Sequence, residues 1–223
     1  MVVGDILPLA VGVAISPVPI IAVILMLFST RAKNNGLAFL AGWVLALIVA
    51  GSIVLALANA GKISAGGAPS TVAYVIKLLL GLLLLLLAYR QWQSRPRAGE
   101  MPVMPQWMAT IDAFTPGKAF GLAALLAGVN PKNLGLTLAA ALSIAQANLS
   151  GAQPWLALIV FVIIASLSVA APVLYYLIAG PAAEKTLTGW KVWLTANNAT
   201  VMFVLFLILG AKLLGDGLGG LLG

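Results

Sequence analysis

Only 8% of the 223 residues are charged and 62% are hydrophobic, whereas a soluble domain carries about 25% charged residues, so the composition predicts an integral membrane protein. The chain has no cysteine and no histidine, which excludes thiol redox chemistry, Cys or His metal ligands and imidazole proton relays. The net charge of +7 lies mostly in short loops, where membrane topology explains it without a nucleic-acid partner.

The first predicted span covers residues 3 to 28, and its middle is interrupted by Ser16-Pro17-Val18-Pro19. Ser16 can cap a helix and Pro17 suits the first helical position, so we expect a second half-helix to begin there. Pro19 still falls in the first turn, where backbone donors are unpaired in any case. The pattern therefore predicts a span that is broken inside the membrane.

The second and third spans are predicted at residues 35 to 58 and 70 to 92, each long enough to cross a bilayer. Lys77 lies within the third span, and we expect its long side chain to snorkel toward the surface. Residues 93 to 117 form the longest polar stretch, and their Met and Trp residues give it an apolar side. This linker is predicted to lie along the membrane interface.

The fourth span, residues 118 to 146, contains Asn130-Pro131-Lys132-Asn133 near its middle. Asn130 can cap and Pro131 can start a fresh half-helix, just as Ser16 and Pro17 do. Free N–H groups, the positive end of the helix dipole and the Lys132 ammonium would favour a negatively charged guest. The alternative is a kink that only shapes packing, with Lys132 snorkelling to one surface.

The fifth and sixth spans are predicted at residues 155 to 178 and 193 to 214. Asn197, Asn198 and Thr200 form a weaker polar cluster, which faces the bundle if the sixth span begins earlier and is interfacial otherwise. Most basic residues fall in loops of one side, which the positive-inside rule makes cytoplasmic: Arg31, Lys33, Arg90, Arg95, Arg97, Lys118, Lys185 and Lys191. Both termini are then expected outside, in a multi-pass protein of the inner membrane.

The two broken spans indicate an internal repeat, because Ser16-Pro17 and Asn130-Pro131 are 114 residues apart. The same offset moves the second span onto the fifth and the third approximately onto the sixth. An odd number of spans per half inverts the second half relative to the first, a pattern typical of secondary transporters. We predict an all-α integral membrane fold of six transmembrane helices in two inverted three-helix repeats, at residues 1–92 and 118–223 with the linker 93–117, the first helix of each repeat being broken near the midplane.

The candidate substrate site follows from the breaks, since transporters of this kind bind at the repeat interface. The carboxylates all lie at span ends or in loops, and Lys132 is the charge nearest the centre. An anionic or zwitterionic guest therefore fits better than a metal ion, and we predict no catalytic residue, metal or cofactor. The residues predicted to bind the guest are Ser16, Pro17, Pro19, Asn130, Pro131, Lys132, Asn133 and Thr137.

The segment from Met104 to Asp112, followed by Thr115-Pro116-Gly117-Lys118 and by Asn130-Pro131-Lys132-Asn133, resembles the GAP family of glycopeptidolipid-addressing and sulfolipid-addressing proteins, within the LysE-type transporter superfamily. The resemblance implies six spans in two inverted halves and a role in moving cell-envelope glycolipids across the inner membrane. Amino-acid exporters of that superfamily carry Pro-Gly-Pro in the first span, whereas this chain has Pro17-Val18-Pro19, which argues against amino-acid export.

We therefore expect a transporter or flippase that exports an anionic or glycosylated envelope lipid or its precursor, without enzymatic activity. One alternative is an exporter of a small soluble anion or zwitterion that uses the same site. Another is a non-transporting scaffold for proteins of envelope-lipid synthesis, acting through the 93–117 linker. The expected partners are an amphiphilic membrane substrate, such biosynthetic proteins and further copies of the chain, but no nucleic acid.

Overall fold

The computed structural model describes residues 2–59, 64–65, 68–69, 71–95, 106–147 and 149–222. Apart from a two-residue antiparallel pairing of Ser64–Ala65 with Ala68–Pro69, these residues are helical or lie in short connections. Two 3₁₀ segments, Gln106–Ala113 and Gly180–Ala183, separate longer helices. The α-helices are α1 (Val2–Ala14), α2 (Pro17–Leu27), α3 (Ala32–Asn59), α4 (Thr71–Gln93), α5 (Pro116–Gly128), α6 (Pro131–Gln146), α7 (Gln153–Ala179) and α8 (Glu184–Leu222).

Both predicted breaks separate helices. The first lies between α1 and α2, whose axes differ by 50°, and Pro17 is the first residue of α2. The second lies between α5 and α6, where the side chain of Asn130 accepts a hydrogen bond of 3.0 Å from the backbone N–H of Lys132. Asn130 is thus the N-cap of α6 that the sequence predicts.

The helix bounds recur along the chain at the predicted offset. Val2 and Ala14, which bound α1, lie 114 residues before Pro116 and Gly128, which bound α5. Pro17, which begins α2, lies 114 residues before Pro131, which begins α6. Three helix ends therefore keep one spacing, as two copies of one folding unit would.

The long helices of the two halves pack against each other in antiparallel pairs. In the pair α4 and α8, Gly81 contacts Leu214, and Gly217, further along α8, contacts Leu78, earlier on α4. A Cβ atom at Gly81 would lie 2.6 Å from the backbone nitrogen of Leu214, closer than atoms can approach. Glycine is therefore what lets these two backbones come together.

Length and hydropathy identify three segments able to cross a membrane: Ala32–Leu57, Thr71–Gln93 and Gln153–Leu222. The number rises to four if the bent pair α1 and α2 counts as one span. The third segment has 70 residues, far more than the roughly 20 that one crossing needs, and it contains both α7 and α8. A helical membrane protein is thus confirmed, while the count of six spans stays a prediction.

Two expectations about individual segments need correction. α8 runs from Glu184 to Leu222, so the helix extends beyond the predicted span of residues 193 to 214 at both ends. Lys77 does not snorkel: it is only 6% exposed, and its ammonium donates a hydrogen bond of 2.7 Å to the side-chain oxygen of Gln146. A polar partner on α6 holds it inside the bundle instead.

The predicted linker is only partly described, since residues 96–105 lie outside the described residues. The 3₁₀ segment that follows packs beside α2. Met108 and Ile111 in that segment are buried, so this end of the linker belongs to the body of the protein.

Candidate functional site at the two helix breaks

The two breaks meet through the side chain of Lys132, which is 4% exposed. Its ammonium nitrogen lies 2.9 Å from the carbonyl oxygens of Gly12 and Ile15 and 2.5 Å from the hydroxyl oxygen of Ser16. An ammonium group has three protons to donate. All three are therefore directed to the first break.

The last carbonyl groups of a helix have no partner within it and carry the negative end of its dipole. Lys132 supplies both a donor and a positive charge at this end of α1. The sequence predicted an ammonium facing a guest, and in this conformation it faces α1 instead. The alternative in which Lys132 reaches a membrane surface does not fit its burial.

Asn133 ties the same helices together and is 1% exposed. Its amide nitrogen donates a hydrogen bond of 2.8 Å to the carbonyl oxygen of Leu126, at the end of α5. Its amide oxygen lies 3.1 Å from the Ser16 hydroxyl, which also lies 2.7 Å from the carbonyl oxygen of Val13. The hydroxyl has one proton, so it donates to one of these two oxygens.

A polar cavity of about 160 Å³ lies beside the breaks. A cavity of about 150 Å³ is enough for a benzene-sized molecule, so one small head-group unit fits. Its lining comes from the segments around both breaks and from the facing sides of α4 and α8: Ser16, Pro17, Val18, Pro19, Gln91, Asn130, Lys132, Asn133, Asn198, Met202 and Phe206.

Six of the eight residues predicted to bind a guest line this cavity, and Pro131 and Thr137 do not. Pro131 is exposed at the first position of α6. Thr137 is fully buried, and its hydroxyl donates to the carbonyl oxygen of Asn133, one turn earlier. A threonine that bonds to its own helix in this way leaves its hydroxyl proton unavailable to a guest.

Four lining residues were not predicted as part of a site: Val18, Gln91, Met202 and Phe206. Gln91 is a polar residue in the last turn of an apolar helix, and that position could have indicated a role in a binding site. Asn198 reaches the cavity because α8 begins early, which is the less favoured of the two alternatives left open by the sequence. Asn197 instead donates to the carbonyl oxygen of Trp193 on its own helix.

The chemistry of the cavity is that of neutral amides and one ammonium whose protons are donated to carbonyl and hydroxyl oxygens. The described residues include no group of three or more His, Cys, Asp or Glu side chains that could hold a metal ion. Pro17 and Pro19 have no N–H group, so the first turn of α2 offers few donors to an anion. The hydrogen-bond donors of this cavity are therefore supplied by side chains more than by the end of α2.

The structure also has an apolar groove of about 280 Å³. It lies between α2, α7 and α8 and is lined by Ile20, Ser168, Ala171, Trp190, Trp193 and Leu194. Ile20 follows the cavity residue Pro19 in sequence, and Leu194 is one turn before the cavity residue Asn198, so neighbouring residues of α2 and α8 line the two spaces, although no residue lines both. The side chains of Trp190 and Trp193 are 41% and 57% exposed.

Comparison with known proteins connects this geometry to a family. A family model described as Sap, sulfolipid-1-addressing protein, matches residues 6–219. The chain belongs to this family. Searches of curated proteins and of solved structures gave no match. The match to the sulfolipid-1-addressing family includes both breaks, and it confirms the family resemblance seen in the sequence, while the wider LysE-type placement stays a prediction.

Proposed function

We propose that this member of the sulfolipid-1-addressing family moves a lipid with an anionic or glycosylated head group across the inner membrane. The head group would enter the polar cavity at the breaks, and an acyl chain would lie in the apolar groove beside it. The observation that carries the proposal is that neighbouring residues of the same helices line the two spaces, Pro19 and Ile20 on α2 and Leu194 and Asn198 on α8.

The polar cavity suits a head group because its amides can both donate and accept hydrogen bonds. Asn130, Asn198 and Gln91 line it together with Lys132. An anionic oxygen that enters would compete with the carbonyl groups of Gly12 and Ile15 for the protons of Lys132. Substrate binding would thereby loosen the link between the two breaks.

The apolar groove favours a lipid over a small soluble anion. A soluble solute needs a closed, water-accessible vestibule, whereas an acyl chain needs an apolar path along its length. The exposed Trp190 and Trp193 would place the mouth of the groove at the lipid-facing surface, where tryptophan is commonly found.

The proposed mechanism is a rocking motion of one inverted three-helix repeat against the other. Support comes from the recurrence of helix ends at one spacing and from the antiparallel packing of α3 with α7 and of α4 with α8. In the first pair Gly36 contacts Val173 and Gly51 contacts Leu158. Two equivalent helices meet antiparallel when a two-fold axis in the membrane plane relates the halves. We further propose that the chain has six spans with both termini outside and that it transports its substrate without covalent chemistry.

The proposal can be tested in proteoliposomes that contain a fluorescent sulfoglycolipid, by following its transfer between leaflets with an impermeant quencher. We expect Asn198→Leu in the cavity and Trp193→Asp at the groove each to reduce the transfer rate at least about tenfold, the effect of losing roughly 1.4 kcal/mol of binding. Lys185→Met, a charge removal at an exposed site, serves as the matched control.

Transfer unaffected by both variants would contradict the proposed route. Loss of transfer in Asn198→Leu only, together with transport of free sulfated sugar, would favour the small-solute alternative. A wild-type protein that transfers no lipid, while truncation of residues 93–105 abolishes envelope-lipid assembly in cells, would favour the scaffold.

A further inference from the structure

A second polar cavity, of about 580 Å³, lies at the other end of the helices that line the first one. We infer that this distal cavity binds the saccharide part of the transported molecule, in addition to the site at the breaks. The inference rests on the proposed function for its place in transport, but the site itself is argued from its own residues: Asp5, Tyr74, Lys77, Ser143, Gln146 and Asp216.

Residues of α4, α6 and α8 line both cavities. α1 contributes Asp5 to the distal cavity, and Ser16, just after the end of α1, lines the cavity at the breaks. On α8, Asn198 lines the first cavity and Asp216 the second, and a helix that rises about 1.5 Å per residue separates them by roughly 27 Å. On α4, Gln91 and Lys77 are separated by roughly 21 Å on the same basis. The two cavities are thus well separated along the same helices.

An apolar layer closes the route between the two cavities. Leu136 and Leu209 are 0% and 3% exposed, and both contact Gly12 so closely that a Cβ atom at Gly12 would overlap the side chain of Leu209. Each of these three residues lies between the two cavities along its own helix. The structure therefore has one polar space on each side of a closed layer.

The distal cavity contains hydrogen-bond donors that are not used within the described residues. The Lys77 side chain is only 6% exposed. One of its three ammonium protons is donated to the side-chain oxygen of Gln146 at 2.7 Å. That bond fixes the orientation of the amide, and its nitrogen is buried without a partner in the described part of the chain. An unpaired buried donor is costly, so an acceptor oxygen entering here is favoured.

The charges of the distal cavity select a neutral ligand. The carboxylates of Asp5 and Asp216 line the cavity and can accept hydrogen bonds. One carboxylate oxygen of Asp216 forms an ion pair with the ammonium nitrogen of Lys212 at 2.7 Å. Two ammonium groups thus balance two carboxylates. A free anion would meet both carboxylates and a free cation both ammonium groups, whereas a saccharide hydroxyl can donate to a carboxylate and accept from Lys77 or Gln146.

Tyr74 adds an apolar face to these polar groups. Its ring lies directly against Gly220, where a Cβ atom would overlap it, so the ring is held in the cavity wall. A ring face beside paired donors and acceptors suits the mixed surface of a sugar, which carries both C–H and O–H groups. The same chemistry is offered by a free saccharide and by the head group of a glycolipid.

The absence of cysteine allows a direct test with the full chain in lipid nanodiscs. Ser143→Cys introduces one thiol in the distal cavity, and its rate of modification by a hydrophilic maleimide reports occupancy. We expect saturable protection by maltose, protection at lower concentration by a maltosyl lipid in the bilayer, and none by sodium sulfate. Protection by sulfate without protection by maltose would overturn the inference, as would equal labelling in all conditions.

A second substitution tests the donors themselves. Gln146→Glu keeps an acceptor for Lys77 and removes both amide N–H groups, so maltose should protect about five- to tenfold less effectively, as expected for one lost hydrogen bond. Lys185→Arg, a conservative change at an exposed site outside the cavity lining, is the control and should leave protection unchanged. Undiminished protection in Gln146→Glu would contradict the assigned role of the amide.

Failure of this inference can be separated from failure of the proposed function. If fluorescent lipid is transferred between leaflets while Ser143→Cys is never protected, the distal site is wrong and lipid transport stands. If maltose protects Ser143→Cys while no lipid is transferred, the distal site stands and lipid transport is wrong.

Discussion

The ammonium of Lys132 donates a hydrogen bond of 2.9 Å to the carbonyl oxygen of Gly12, 120 residues earlier in the chain. Gly12 lies 114 residues before Leu126, whose carbonyl oxygen accepts from Asn133 at 2.8 Å. The two equivalent carbonyl groups are therefore both satisfied by the second break. The equivalent positions in the first break are Val18 and Pro19, whose side chains have no donor, so only one of the two breaks can perform this role.

Replacing Lys132 should destabilise the protein as well as stop transport. Lys132→Met removes the donors to Gly12, Ile15 and Ser16, and each buried polar group left unpaired costs about 1–3 kcal/mol. We expect a clearly lower melting temperature in detergent, measured by scanning fluorimetry, and loss of lipid transfer. Lys185→Met should leave both unchanged. A melting temperature equal to that of the wild type would show that the link between the breaks does not hold the halves together.

Gly12→Ala should disturb the apolar layer between the two cavities. The new methyl group would overlap Leu209, and overpacking of a core costs about 1–3 kcal/mol. Adding Leu209→Ala should recover part of that loss, because neighbouring substitutions are not additive. Gly4→Ala on the same helix, where a Cβ atom meets nothing within 4 Å, is the control. Thermal unfolding of the wild type, Gly12→Ala, Leu209→Ala and the double variant measures the coupling, and strictly additive effects would refute the contact.

The breaks could be predicted from sequence because their signals are local. Proline and a capping side chain determine where a helix begins, so Pro17, Asn130 and Pro131 fall where the sequence places them. The hydrogen-bond partners of Lys132 were harder to predict from the sequence. The sequence analysis assigned the ammonium protons to a guest. Their acceptors instead lie at the end of a helix far away in sequence, and no local rule indicates which carbonyl groups will approach Lys132.

The contacts of α4 and α8 that the sequence did not predict arise from packing between distant helices. Lys77 was expected to snorkel because it lies near the start of its predicted span, whereas Gln146 approaches it only in the folded bundle. Gln91 and Phe206 line the first cavity because glycines bring α4 and α8 into close contact. Small residues indicate that close contact is allowed, but they do not say with which helix.

The glycine contacts of that pair lead to a further prediction, in which two neighbouring glycines of α8 should respond oppositely to alanine. A Cβ atom at Gly217 would lie 2.8 Å from the backbone nitrogen of Leu78, and backbone cannot move aside as a side chain can. Gly217→Ala should therefore separate α4 from α8 and lower the melting temperature. At Gly215 a Cβ atom meets nothing within 4 Å, so Gly215→Ala should be neutral or gain up to about 1 kcal/mol from higher helix propensity. Equal effects of the two variants, measured by unfolding in mixed micelles, would contradict the close packing.

The last prediction concerns Asn198, which faces the breaks from α8 and takes no part in the link between them. Asn198→Leu should abolish most lipid transfer. It should change the free energy of unfolding by less than about 1 kcal/mol, since a partly exposed amide contributes little to folding. Asn197→Leu is the matched control, because the neighbouring amide is bonded to its own helix and lies outside the cavity lining. Transfer rates measured side by side should differ about tenfold between the two variants. If both lose transfer equally, the cavity at the breaks does not determine substrate binding, and the route must lie elsewhere in the bundle.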